Sequence, residues 1–287
     1  MKKYAFVIYR RWAFDIFKNI YAWNNLKKNF LIDTLITTSS PEFSLEEIPS
    51  DIVVSQVDPK NNTEIEKLLS SRNIKTAFFY GWSWIIKDPL LTNILCLGLH
   101  PSKLPLFRGG SPLQHQIIAG KIRTYASLFQ TASGIDNGDI YLQSPLSLRG
   151  DMQAIFSNMA IFGTDMTKKF ILDDLQERAH FYPQKNIDLF PPLKRRKPEE
   201  SEINKEKLKE TTHTELYNLV RSLTDPYPNV YIALGNKKIF ISKIKKTSKL
   251  SKNSFIINNL NTPFPPGKTP YLKLKDCFVK IERYKVE

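Results

Sequence analysis

Cysteine and long apolar runs are both scarce in this sequence of 287 residues. Its two cysteines, Cys96 and Cys277, are too few for a disulfide framework or a cysteine-rich zinc site. No apolar run approaches the ~18–20 residues that a membrane-spanning helix needs. The amino-terminal residues lack the apolar stretch of a signal peptide, because Arg10 and Arg11 interrupt it. We therefore expect a cytoplasmic protein with no metal site and no membrane partner.

Positive charge is concentrated in the last third of the chain. Residues 194–287 hold 21 Lys and Arg against 10 Asp and Glu, whereas residues 1–193 hold 21 against 18. Such asymmetry indicates an anionic partner for the carboxyl-terminal part. The alternative is a lysine-rich, solvated surface on a small β domain.

The first two thirds of the sequence alternate between strand-like and helix-like segments. Short β-rich or apolar runs predict strands at 4–9, 30–37, 51–57, 76–80, 94–99, 127–131 and 140–143. Helical spacing predicts helices at 62–69, with Thr63 as the N-cap, and at 151–175. This alternation predicts an α/β domain with a doubly wound, mostly parallel sheet. Ligands of such sheets bind beyond the carboxyl ends of the strands, so we expect the chemistry in the loops after Tyr80 and Leu99.

A different organisation begins near residue 190. Residues 191–211 are rich in proline and charge and lack periodicity, which predicts a linker. A helix is predicted at 212–222, followed by short strands at 230–234, 238–244, 254–257, 271–274 and 277–284. The sequence thus predicts a first domain over 1–190 and a small β-rich domain over 212–287.

Two loops of the first domain carry residue types suited to catalysis. The segment GLHPSKLPLFRGGSP at 98–112 places His100 where a buried strand enters a loop stiffened by proline, which is typical of a general base. An ordinary loop histidine is the alternative. The segment SGIDNGD at 133–139 offers Asp136, whose carboxylate could stabilise an imidazolium. For Asp139 we favour a turn or another structural role.

These motifs resemble the folate-dependent formyltransferases. That superfamily has a His-x-Ser-x-Leu-Pro motif followed by Arg-Gly, and a later Leu/Ile-Asp-x-Gly loop. Here the motifs are HPSKLP at 100–105, Arg108-Gly109 and IDNG at 135–138, and 36 positions separate His100 from Asp136, as in the family. The segments YGWSWII at 80–86, LYNLVR at 216–221 and DPYP at 225–228 extend the resemblance over most of the chain.

The resemblance implies an N-formyltransferase that uses 10-formyltetrahydrofolate, with a Rossmann-like catalytic domain and a small OB-like carboxyl-terminal domain. His100 would take a proton from the attacking amine or polarise the formyl carbonyl. Asp136 would hold the protonation state of His100 or position a water. The implied folate-binding residues are Tyr80, Gly81, Trp82, Ser83, Trp84, Ile135 and Asp139, with core packing as the alternative for the two tryptophans. The implied acceptor-binding residues are Ser102, Arg108, Gly109 and Gly110.

Gly98 departs from the family pattern. Two residues before the histidine the family usually carries an Asn, whose amide donates to the oxyanion. The loss of one such donor typically lowers the rate by about 10²–10³-fold. Either another group supplies the bond, or the enzyme relies more on His100, or the protein is impaired. Gly98 could also admit the substrate or a water closer to the carbonyl.

The acceptor amine is the remaining question. The linker, the helix that follows it, and the Arg-Gly-Gly-Ser-Pro run in place of Arg-Gly-Ala-Ala-Pro resemble the enzymes that formylate nucleotide-linked amino sugars. We therefore expect a UDP- or dTDP-linked 4-amino-4,6-dideoxy sugar as acceptor, in surface-glycan synthesis such as that of the O-antigen of lipopolysaccharide. The alternatives are a methionyl-tRNA formyltransferase, with tRNA as the partner, and a non-catalytic folate-binding protein. A homodimer is left open.

Overall fold

Two β-sheets organise the chain in the computed structural model, which describes residues 1–234, 237–251, 253–257, 265 and 267–287. The first sheet contains β1 (Lys3–Val7), β2 (Leu31–Thr37), β3 (Val53–Gln56), β4 (Thr76–Tyr80), β5 (Leu95–His100), β6 (Arg123–Gln130) and β7 (Ile140–Ser147). The second contains β8 (Val230–Leu234), β9 (Lys237–Thr247), β10 (Ser254–Ile256), β11 (Thr269–Lys273) and β12 (Phe278–Val286).

Seven α-helices lie within the described residues. They are α1 (Arg11–Lys27), α2 (Asn62–Ser71), α3 (Leu90–Asn93), α4 (Pro112–Ile118), α5 (Met152–Leu175), α6 (Lys205–Glu210) and α7 (His213–Ser222). In this part of the chain we find no helix with the length and apolar content that a bilayer crossing requires.

The strand order of the first sheet is β3-β2-β1-β4-β5-β6-β7. The five strands from β3 to β5 are parallel, and β6 and β7 are antiparallel additions. This order confirms the predicted doubly wound, mostly parallel sheet and its β-rich companion. The carboxyl ends of β4 and β5 lie side by side, since Tyr80 pairs with Leu99. The loops that follow these strands therefore leave the same edge of the sheet.

The sequence interpretation of β5 was right about burial but incomplete about pairing. Residues Cys96 to His100 are buried, as the apolar run predicted. The strand has parallel β4 on one side but antiparallel β6 on the other, so it marks the boundary between the two modes of pairing. Antiparallel pairing there brings Gly98 opposite Phe129, a contact that bears on the site below.

Other differences from the sequence predictions concern helices and element ends. No element was predicted over residues 11–27, where α1 buries its apolar face against the sheet's aromatic core through Phe14 and Phe17. Thr63 is not the N-cap of α2. Asn61 is, because its side chain accepts a hydrogen bond from the amide of Glu64 at 3.1 Å. The strands β6 and β7 also extend four residues further than predicted, at the start of β6 and at the end of β7.

The chain divides into two compact units. The first unit comprises Met1–Pro112, Arg123–Ser147 and Phe156–Leu193, and the second comprises Leu113–Ile122, Leu148–Ile155 and Lys194–Glu287. The range 191–211, predicted as a linker, contains a 3-10 turn at Pro198–Ser201 and α6. Its Ile203 and Leu208 are buried in the core of the second unit. The predicted boundaries at 190 and 212 stay a prediction.

Within the second unit, α7 is tied to the start of α5 by one buried arginine. Arg221 is 6% exposed, and its Nη1 donates to the carbonyl oxygens of Leu148 at 2.5 Å and Gly150 at 3.1 Å. Its Nε donates to Asn218 Oδ1 at 2.9 Å. Burial lowers the pKa of Arg221. The guanidinium thus gives the carbonyl of buried Leu148, just before α5, a hydrogen-bond donor.

We expect Arg221→Leu to destabilise the second unit by about 2–4 kcal/mol, because it leaves the carbonyl of buried Leu148 and Oδ1 of buried Asn218 without this donor. Urea unfolding of the variant measures this free energy. Arg178→Leu serves as the control, since that side chain is 67% exposed. Equal unfolding midpoints for Arg221→Leu and the control would contradict this account.

Candidate active site

His100 ends β5 and is buried, with 6% of its surface exposed. Its Nδ1 lies 3.3 Å from Oδ2 of Asp136. Its Nε2 lies 3.0 Å from the carbonyl oxygen of Phe107, which can only accept. Both ring nitrogens therefore face oxygen acceptors. Because the Phe107 carbonyl can only accept, Nε2 is the donor in that contact, and Nδ1 faces the carboxylate.

Asp136 reaches the histidine from the loop between β6 and β7. Its backbone is left-handed, with φ of 46°, a conformation that Asp tolerates better than most residues. Oδ2 accepts a hydrogen bond from the amide of Gly109 at 2.8 Å, in addition to its contact with His100. The carboxylate thus joins the two loops that the sequence singled out, and it presents negative charge to the imidazole.

Side-chain hydrogen bonds stabilise the loop after His100. Ser102 is fully buried, and its Oγ donates to the carbonyl oxygen of Leu106 at 2.5 Å. The carbonyl oxygen of Ser102 accepts from Ser127 Oγ at 2.6 Å. Ser127 stands opposite His100 in the β5–β6 register. The hydroxyl that the resemblance assigns to acceptor binding therefore has a partner in its own loop.

Arg108 and the two glycines after it fasten this loop to residues 190–193. Arg108 Nε donates to the carbonyl oxygen of Phe190 at 2.6 Å, and its Nη1 donates to that of Ile135 at 3.0 Å. The amide of Gly110 donates to the carbonyl oxygen of Leu193 at 2.8 Å. Gly109 has φ of +96°, and a Cβ there would lie 2.6 Å from that same oxygen, so the position requires glycine.

The space beside Gly98 is filled by an aromatic ring. A Cβ at this position would lie 2.6 Å from Cε1 of Phe129 and 2.8 Å from its Cζ. Phe129 is buried and packs with Leu104 and Ile140. The expectation that Gly98 admits a substrate or a water is therefore wrong, because the ring occupies that volume. Any side chain larger than hydrogen at 98 would require Phe129 to move.

The loop after β4 forms an aromatic cluster with the residues that follow β1. The ring of Tyr9 lies 5.0 Å from that of Trp84, and Trp82 lies 5.1 Å from Trp84. The hydroxyl of Tyr9 is 2.6 Å from Ser83 Oγ. Trp82 also packs against the core cluster that contains Phe79, so it has the packing role that the sequence left open.

The other predicted folate residues differ in exposure. Tyr80 is fully buried, and its hydroxyl lies 2.9 Å from Thr167 Oγ1. Burial raises the pKa of Tyr80. The side chains of Ile135 and Asp139 are exposed. Over the described residues we find no group of three His, Cys, Asp or Glu side chains that could hold a metal ion.

Sequence reasoning missed three groups at this site. They are the Phe107 carbonyl on His100, Tyr9 beside the tryptophans, and Gln184, whose Nε2 donates to the carbonyl oxygens of Asp136 at 2.9 Å and Gly138 at 2.8 Å. The first and third involve backbone carbonyls, which every residue type supplies. Gln184 lies 48 positions from Asp136, and no spacing pattern connects the two.

Comparison with known proteins identifies a family for the central part of the chain. The family model described as formyl transferase matches residues 38–152, which include His100 and Asp136. A methionyl-tRNA formyltransferase from Mycoplasma mycoides subsp. mycoides is 30% identical over 168 residues. That match covers 57% of this chain and 51% of the relative, so the chain spans about half the length of this curated relative.

Solved structures extend the likeness over more of the chain. A methionyl-tRNA formyltransferase from Clostridium thermocellum is 25% identical with a TM-score of 0.65, covering 86% of this chain and 94% of that one. A 4-N formyltransferase from Francisella tularensis is 18% identical with a TM-score of 0.66, covering 84% and 97% respectively. At 18% identity the second likeness concerns the fold alone.

We expect Gly98→Ala to destabilise the protein by about 1–3 kcal/mol, because the new methyl group overlaps the Phe129 ring. In a Phe129→Leu background the same substitution should cost much less, since the ring is gone. Urea unfolding of the four proteins in this cycle measures the coupling. An equal cost in both backgrounds would show that the two positions do not compete for space.

Proposed function

The central part of the chain matches the formyl transferase family, and on that premise we propose that the chain transfers a formyl group from 10-formyltetrahydrofolate to the amine of a nucleotide-linked 4-amino-4,6-dideoxy sugar. The observation that carries the transfer chemistry is the contact between buried His100 at the end of β5 and the partly buried carboxylate of Asp136. In this reaction the amine nitrogen bonds to the formyl carbon, and the bond from that carbon to N10 of the folate breaks. The proton lost by the amine ends on N10.

The resemblance implies that His100 either takes a proton from the amine or polarises the formyl carbonyl, and its contacts favour the second role. The ring donates from Nε2 to a carbonyl oxygen, that of Phe107, while Asp136 faces Nδ1. A formyl oxygen that replaced the Phe107 carbonyl would receive the same proton as negative charge develops on it. The carboxylate of Asp136 stabilises the imidazolium that makes this donation.

This role matters more here because Gly98 carries no side-chain amide. Phe129 fills the adjacent volume, so a conventional donor has no room there without rearrangement. We propose that the enzyme relies on His100 to stabilise the oxyanion.

Folate binding is supported by the aromatic cluster after β4 and by the loop around Asp136. Trp84 and Tyr9 offer half-buried ring surface for a planar heterocycle. The loop that contains Ile135 and Asp139 offers backbone groups that could form hydrogen bonds with the polar edge of this heterocycle. This placement agrees with the rule that ligands of doubly wound sheets bind beyond the carboxyl ends of the strands.

A sugar nucleotide as acceptor is supported by the run Arg108 to Pro112, which departs from that of the tRNA enzymes. A diphosphate is anionic, which fits a chain of net charge +14.

Methionyl-tRNA is the second candidate acceptor, and a specific observation favours it. On the second sheet, Lys245 stands opposite Lys280, whereas Lys243, which stands opposite Arg283, already pairs with Glu282 at 3.4 Å. Like charges directly across a strand pair are destabilising without an anionic partner. Polyanionic RNA would supply that partner. The Mycoplasma and Clostridium relatives bear the name of this activity.

We expect His100→Asn and Asp136→Asn each to lower kcat by about 10²–10⁴-fold, because the proton donor or its counter-charge is lost. Formylated product measured by mass spectrometry checks this. His180→Asn is the matched control, since His180 is exposed and outside the pair. If either variant retains near-normal turnover while folded, the assigned chemistry is wrong.

The acceptor is tested with a panel of UDP- and dTDP-linked 4-amino-4,6-dideoxyhexoses and, in parallel, charged initiator tRNA. We expect formylation of at least one sugar and none of the tRNA. Product from tRNA alone would replace the sugar assignment with the second candidate. Binding of 10-formyltetrahydrofolate without product from any acceptor would indicate a non-catalytic protein.

A further inference from the structure

We propose that Gln184 is a positioning residue that sets Asp136 against His100. This inference rests on the proposed function, since it concerns the same histidine–carboxylate pair. The hydrogen bonds of Gln184 reach the backbone of the Asp136 loop. Its Nε2 donates to the carbonyl oxygens of Asp136 at 2.9 Å and Gly138 at 2.8 Å, so one amide bridges the backbone on both sides of Asn137.

The geometry of the loop explains why such a bridge is needed. Asp136 has a left-handed backbone, in which its side chain points to His100 and Gly109. A rotation of this backbone would carry the carboxylate away from both. The two hydrogen bonds from Gln184 fix the carbonyls at 136 and 138, and thereby the peptide units that set this direction.

Gln184 is itself held at a defined distance from the loop. Two residues earlier, Tyr182 pairs with Ile140 through mutual backbone hydrogen bonds of 2.8 and 2.9 Å. Six residues later, the Phe190 carbonyl accepts from Arg108, which also holds Ile135. The segment 182–190 is thus fastened at both ends to the elements that carry the catalytic pair.

The orientation of the Gln184 amide points to this role. Its nitrogen makes both bonds, while its Oε1 is buried and has no hydrogen-bond partner among the described residues. An unpaired buried oxygen is unfavourable. The two hydrogen bonds from Nε2 to the Asp136 loop therefore offset the cost of leaving Oε1 without a partner.

The test compares Gln184→Met, which keeps the length of the side chain but removes both donors, with Lys185→Met as the matched control. Lys185 is the exposed neighbour on the same segment. We expect Gln184→Met to lower kcat by about 10–100-fold, because a small misplacement of a catalytic group is costly, and to change KM for the acceptor little. The control should behave as the parent protein.

A double-mutant cycle separates positioning from a merely structural effect. In an Asp136→Asn background, Gln184→Met should cost less than about twofold further in single-turnover rate, because its target is already gone. A loss as large as in the parent background would overturn the proposal. Urea unfolding of each variant verifies that the protein is folded.

A second readout does not depend on any turnover. Long-range proton–nitrogen NMR spectra report the ring nitrogens of the four histidines, and His100→Asn identifies the signals of His100. We expect Gln184→Met to shift these signals in the same direction as Asp136→Asn, with no shift in Lys185→Met. Unchanged His100 signals in folded Gln184→Met would overturn the proposal. The NMR experiment can be interpreted even if no formyl acceptor is found. A failure of the positioning role of Gln184 is therefore distinguishable from a failure of the proposed formyl transfer.

Discussion

The contact between His100 and Asp136 is the constraint on which the rest of the site depends. It joins residues 36 positions apart in the sequence. The two side chains meet only if the loop that carries each of them keeps its position. The Asp136 carboxylate receives the Gly109 amide, and Arg108 binds the carbonyl beside Asp136 in the chain. Hydrogen bonds therefore connect the loop after β5 directly to the loop between β6 and β7.

The motifs of the sequence were sufficient to pick out two residues that the fold brings into contact, His100 and Asp136, and the sheet beside them. His100 and Asp136 lie in short patterns whose residue types are required by chemistry, and the strands have an apolar character that predicts them well. Helix α1 was missed, although its burial shows an apolar face. The start of β6 and the end of β7 were also misjudged, because Arg123, Thr124 and Ser144 are polar residues within strands.

What the sequence could not provide are contacts made by the backbone or across long separations. Gln184 is one glutamine among several, and only the folded chain brings it to the carbonyl of Asp136. Phe129 is predictable as a core residue, but its register opposite Gly98 depends on where β6 pairs with β5. The departure at Gly98 was visible in the sequence, whereas its physical meaning, a volume taken by a ring, was not.

The carbonyl of Phe107 has a consequence for how the site changes occupants. This carbonyl already accepts the hydrogen bond of His100 Nε2. A substrate oxygen that binds to Nε2 would therefore have to replace the Phe107 carbonyl. One hydrogen bond then replaces another, so the net free energy gained from that one contact is small. In the proposed transfer, the Phe107 carbonyl returns to Nε2 after the formyl group has moved to the amine. The loop's own backbone and the substrate would thus compete for the single proton on Nε2.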